Sequence, residues 1–275
     1  MKRLAIAAAA AVGAAAFWGA GIARADMTVR QTVTISGDTQ PADGKKASSK
    51  RETYTKTVYY KGGKQRTESG DSVTLSTAGS DKLIVLDTTQ HTYYELAILP
   101  SAPDAARQFG DLISFVGTPS VTDTGEERQI AGKTAHHYKF SIALAPTMKD
   151  PNAPPTVTAI YPTLAVSADE WVVPDSSGAS ARGDGIAMVR RLPADHALGM
   201  KPLLEKMAAV KGVAIAATQT FTVLLSPNAP DDVRAQMPKE PFAAESRADS
   251  VSDAPLKDDL FTVPEGYKKV APPQG

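Results

Sequence analysis

The chain reads as a sheet-dominated α+β protein: a curved antiparallel β-sheet, an incomplete barrel, with helices packed over its concave face. Three observations predict this. Segments of period-two alternation recur between glycine-bearing turns over residues 27–96. The stretch 213–225 alternates for about 40 Å at the usual strand rise, a length that suits a strongly curved sheet better than a small sandwich. Residues 103–116 and 194–210 instead carry apolar side chains at helical spacing on one side, which lays each helix on a sheet face.

The first strand is 27–36, with Val29, Gln31, Val33 and Ile35 on one face and Thr28, Arg30, Thr32 and Thr34 on the other. A loop over 37–46 leads to the Thr/Tyr/Val-rich strand 52–60. Lys61-Gly62-Gly63-Lys64 turns the chain into 65–69, a short polar strand that its composition places near a sheet edge. Gly70-Asp71 turns it again into the strand 72–77. Asp81 to Leu96 is a hairpin, with strands 83–86 and 92–96 about the turn 87–90. Leu83, Ile84, Val85 and Leu86 are consecutive, so both faces are apolar and the hairpin is expected mid-sheet with cover on each side.

After Pro100, Ser101 and Pro103 open the first helix, and Gly117 and Pro119 stop it. Strands 127–130 and 134–144 flank the turn 131–133, with His136, Tyr138, Phe140, Ile142 and Leu144 on one face. Residues 145–155 hold four prolines and read as a loop. Strands 156–161 and 168–173 precede a Ser/Gly-rich loop at 174–184, within a second excursion at 174–193. Pro202 is positioned to kink or divide the helix 194–210, and Gly212 marks its end. A short helix is expected at 230–237. Residues 239–258 read as a polar, strand-poor linker.

Met1-Lys2-Arg3, an alanine-rich apolar segment and Ala23-Arg24-Ala25 have the pattern of a secretory signal peptide. Cleavage near Ala25 is expected to leave one domain, residues 26–275, in the periplasm or outside the cell. Export would remove Lys2, Arg3 and Arg24 and no acid, turning a balance of 30 basic and 30 acidic residues into a slight acidic excess. That argues against a nucleic-acid partner. With no cysteine there is neither a disulfide nor a cysteine lipid anchor.

Several short motifs occur in a telling order. They are Tyr59-Tyr60-Lys61-Gly62 before Lys64-Gln65-Arg66, the hairpin LIVLDTTQHTYYEL, and Ile130-Ala131-Gly132-Lys133 with Tyr138 after it. Glu170-Trp171-Val172-Val173 and the tail Leu260-Phe261-Thr262-Val263-Pro264-Glu265-Gly266-Tyr267 complete the set. Together they resemble an uncharacterised exported bacterial family near the LolA/LolB-like lipoprotein-carrier superfamily. The resemblance implies a half-barrel with helices in its mouth and a cavity that holds acyl chains. It transfers no individual lipid-handling residue.

No chemistry-bearing constellation supports an enzyme. There is no Gly-x-Ser-x-Gly elbow and no phosphate-binding or dinucleotide fingerprint. His136 and His137 point to opposite strand faces and cannot share a metal well. Neither a metal nor a cofactor is expected. The expected function is non-catalytic binding of a lipid or other hydrophobic ligand; the other reading is an envelope protein-interaction module with a filled core. A lining would draw on Leu83, Val85 and Tyr94 of the hairpin and on Phe109, Leu112, Ile113 and Val116 of the first helix. Leu203, Leu204 and Met207 of the second helix, with Trp171 and Phe221 from strands, complete it. Such a site needs no polar motif, because an acyl chain gains about 0.8 kcal/mol per buried CH₂.

Overall fold

The structure is a computed structural model that describes residues 26–39, 48–49, 51–99, 113–149, 161–174, 179–180, 185–186, 189, 192, 194–236 and 240–273. The segment read as a signal peptide, all but the last residue of the strand expected at 156–161 and most of the helix expected at 103–116 lie outside them. Strands β1 (Met27–Ser36), β4 (Glu52–Lys61), β5 (Lys64–Ser69), β6 (Ser72–Thr77), β7 (Lys82–Asp87) and β8 (Thr92–Ala97) build the first half. A separate two-stranded ladder, β2 (Asp38–Thr39) with β3 (Ser48–Ser49), lies between β1 and β4 in the chain. Strands β9 (Ile113–Val116), β10 (Ser120–Ile130), β11 (Lys133–Met148) and β12 (Thr163–Val173) follow. Then come helices α1 (Ala194–Gly199) and α2 (Lys201–Ala209), strand β13 (Val213–Leu224), helix α3 (Asp231–Gln236), strand β14 (Phe242–Ser252) and the short strand β15 (Lys268–Lys269).

All but β2 and β3 join one curved, unclosed sheet in the order β10-β11-β12-β13-β14-β1-β4-β5-β6-β7-β8-β15. Its pairs are antiparallel except β15 with β8. β9 pairs with β11 beyond the end of β10, so β9 and β10 form one interrupted edge strand. Gly117 marks the interruption, where a Cβ would stand 2.4 Å from the Ala143 carbonyl oxygen. The edge strand β10 carries Asp123, Glu126, Glu127 and Arg128, charges that discourage edge-to-edge pairing.

The main core shows how strongly the sheet bends. It unites Phe140, Ile142 and Leu144 of β11, Leu164, Val166 and Ala168 of β12 and Phe221 of β13 with Met200, Leu203, Leu204 and Met207 of the helical segment. Leu83 of β7 belongs to the same cluster, reached through Ile98, Ile113 and Phe115. In a flat sheet β7 would lie about 38 Å from β11, eight strand spacings away. The cluster's buried members skip the strands between β13 and β7, so the sheet wraps around the helices rather than lying under them. A second cluster, with Val29, Val58, Val213 and Ile215, fills the bulged end of the sheet. There the β13–β14 ladder stops at Ala216 opposite Arg247. Gln31, 3% exposed, reaches across from β1 and donates from Nε2 to the Ala214 carbonyl at 3.0 Å. Gln31→Leu removes that donor and leaves a buried carbonyl unpaired; we expect a loss of about 1–3 kcal/mol in chemical denaturation.

Several sequence-based expectations are corrected. Ile113–Val116, assigned to the first helix, is strand β9. Residues 242–252, read as linker, form β14 in the middle of the sheet. β5 lies between β4 and β6, not near an edge. The loop expected from residue 145 begins later, because β11 runs on to Met148. The hairpin β7–β8 forms as expected, with Asp87 Oδ1 accepting the Thr89 and Gln90 amides at 2.9 Å each. It lies near one end of the sheet, however, not mid-sheet. The second helix is divided, with α2 starting after Met200 and Pro202 in its first turn, where a missing amide costs nothing.

Both faces of the hairpin do find cover. Leu83 turns to the main core. Ile84 and Leu86 share a cluster with Val73, Leu75 and Tyr93 and with Val263 and Tyr267 of the tail. The tail is tied down along its length. Arg66 donates to the Leu260 carbonyl at 2.9 Å, the Lys268 amide to His91 at 3.0 Å and the Val270 amide to Tyr93 at 2.8 Å. Lys269 Nζ donates to Glu95 at 2.7 Å. That bond holds the Glu95 carboxyl below the usual carboxylate range and raises the Lys269 ammonium. A lowered acid contributes its stability above its unfolded value and loses it as pH falls through the folded one. A raised base loses its share as pH rises through its own. Tail docking should therefore loosen at both ends of that window. Protection of the Lys268 and Val270 amides against hydrogen exchange, relative to the intrinsic rate at the same pH, should fall below the carboxylate range in the native chain and at neutral pH in Glu95→Gln.

Candidate functional site

The sheet has two faces with different chemistry. On the inner, helix-covered face, cross-strand rows such as Ile142–Val166–Phe221 are apolar. α2 presses Leu203, Leu204 and Met207 onto this face, each 3% exposed or less. Its partly polar exterior is marked by Lys206, whose Nζ donates to the Pro119 carbonyl at 3.0 Å. His196 of α1 stacks on Phe115, with ring centroids 3.7 Å apart. The layer also holds a carboxyl group: Glu170, fully buried, pairs across the sheet with Tyr138 and Ala217. Burial first, and then the Asp123 carboxylate, raise the Tyr138 phenol.

The structure brings together six of the side chains expected to line a cavity: Leu83, Ile113, Leu203, Leu204, Met207 and Phe221. Val85 is buried on the same face, and Tyr94, half-buried, is its cross-strand partner. Phe109 and Leu112 lie outside the described residues. Val116 points away from the layer and is 57% exposed at the sheet edge. Trp171 is on the opposite face as well. Alternation along β12 puts Ala168, Glu170 and Val172 inward and Asp169 and Trp171 outward.

The outer face holds a feature the sequence did not reveal. His137 of β11, 8% exposed, is bracketed by Glu126, at 2.8 Å from Nδ1, and Asp169, at 3.0 Å from Nε2. Its ring lies parallel to the Trp171 indole at 4.6 Å. The Arg128 guanidinium sits 5.5 Å from the centre of the same indole. Beside this stack a groove of about 460 Å³ runs over β12, β13, β14 and β1. Two rows of paired residues shape it: Trp171–Ala216–Arg247–Thr32 and Asp169–Thr218–Glu245–Thr34. Small side chains on β13 form its floor, and larger polar ones on both sides form its walls. Thr32 donates to Asp249 at 2.9 Å on the far wall. Among the described residues no group of three or more His, Cys, Asp or Glu could hold a metal ion, and no helix is long and apolar enough to cross a membrane. No protein-family model matches the chain, and the comparison with curated proteins finds no match either.

Proposed function

We propose that the protein is a non-catalytic carrier or binding protein for a lipid or other hydrophobic ligand, held between the inner face of the sheet and α2 in a half-barrel of the LolA-like kind. The reading rests on one observation: an unclosed sheet wraps an apolar layer whose lid is α2. A lid seated mainly by side-chain packing can shift without breaking the sheet's ladders. Met207 of the lid and Met200 just before it are fully buried, flexible and polarisable, and adapt to a changing neighbour. Export to the periplasm, the localisation expected from the first 25 residues, fits a carrier that works between membranes.

A second reading is favoured by the tightness of the same layer. Met200, Leu203 and Met207 are at most 1% exposed, as in a core filled by the chain's own side chains. On that reading the protein is an envelope interaction module. Thermal unfolding with added palmitate or phosphatidylglycerol separates the two. For the carrier, ligand at 100 times its Kd should raise Tm by about 5–10 °C. For the interaction module, Tm stays put. Trp171 lies on the outer face, so its fluorescence should not respond to either lipid.

A further inference from the structure

We infer that the outer groove beside Trp171 is a second binding site, and that it takes a neutral oligosaccharide. The groove falls within the roughly 300–1,000 Å³ typical of small-ligand sites. It arises because Ala216 and Thr218 stand between larger neighbours on both adjoining strands. The backbone there is committed to the β12–β13–β14 ladders, so an extended peptide cannot add as a strand. Recognition must come from side chains. The walls offer guanidinium donors on Arg128 and Arg247 and carboxylate acceptors on Asp169 and Glu245. A polyanion would meet the acids and a polycation the arginines. A chain of hydroxyl groups, each both donor and acceptor, satisfies both signs at once.

The site is also preorganised. Asp169 is held by His137, and the Trp171 indole is stacked on the His137 ring with the Arg128 guanidinium 5.5 Å from its centre. An indole fixed in this way gives the C–H faces of a sugar ring an apolar edge at little entropic cost. The only other tryptophan, Trp18, lies in the segment expected to be cleaved. Trp171 emission therefore reports on this groove.

The test is fluorescence titration of the whole protein with cellotetraose, chitotetraose and maltotetraose, with calorimetry alongside. We expect at least one to shift Trp171 emission saturably, with Kd below about 1 mM. Ala216→Gln, which fills the floor, should abolish the response. Glu245→Ala, an exposed change that leaves the fold intact, should weaken binding about tenfold or more. No saturable signal and no heat from any of the three sugars would overturn the assignment. So would full binding by Ala216→Gln with an unchanged circular-dichroism spectrum.

Discussion

Replacing Phe140 by alanine is expected to destabilise the protein by about 3–5 kcal/mol and to lower its melting temperature by about 6–20 °C. Phe140 is 1% exposed on the inner face, across from Ala168. Its neighbours on that strand face, Tyr138 and Ile142, have their own cross-strand partners and cannot collapse into the space it leaves. Truncation thus removes the buried area of the ring and adds a cavity. Phe140→Leu keeps most of the volume and should lose less than half as much. Thermal unfolding followed by far-UV circular dichroism measures both. A loss below about 1.5 kcal/mol for the alanine variant would mean that this face is loosely packed, contrary to the fold as described.

Gly212→Ala should be comparably damaging, by about 3 kcal/mol, although it adds a single methyl group. Gly212 joins α2 to β13 with φ +143°, a backbone state that L side chains rarely adopt. A Cβ there would stand 2.3 Å from the Val173 carbonyl oxygen and 2.5 Å from Val172 Cγ1. The carbonyl belongs to the β12 ladder and cannot give way. The Gly212 amide also donates to Ala179 at 3.2 Å, in the bridge region where Ser180 pairs with Lys211. The substitution should therefore free α2 from the sheet before it unfolds the sheet. Proteolysis near residues 200–211 should precede global unfolding in this variant. Gly62→Ala, a turn glycine with open space about it, should cost far less, which separates the clash from backbone strain alone.

The sequence was legible where side-chain period and burial agree. β1, β6 and β13 alternate cleanly, and their ends fall within about a residue of expectation. β14 was not legible because its inward positions, Ala244, Ser246 and Ala248, are small and poor strand formers. Pairing with β13 and β1 on either side decides its conformation, and that is tertiary information. Ile113-Ser114-Phe115-Val116 fits a helical face and a short strand equally well, and the free stretch of β11 beyond β10 claims it. β5 is polar on both faces yet central, because the tail covers its outer side: Arg66 bonds Leu260, and Lys61 of the neighbouring β4 bonds the Leu256 carbonyl.

The candidate site divides in the same way. The apolar inner layer could be anticipated because helix and strand periods each predict a buried face. The lining expected from the sequence includes Trp171. Alternation along β12 instead buries Glu170 and turns the indole outward. The outer groove draws on positions as distant in the chain as Thr32 and Arg247, each an ordinary surface residue on its own strand. Only the strand order brings them together.

Mass spectrometry of lipids extracted from the protein, purified without detergent from the envelope fraction of cells that export it, tests the carrier reading most directly. It reads occupancy of the inner layer whichever way Trp171 points. Acyl-chain lipid should be found at close to one molecule per chain, and should be lost when the larger side chain of Leu204→Trp crowds the layer beneath α2. Lipid-free protein that also fails to take up palmitate on incubation would contradict it.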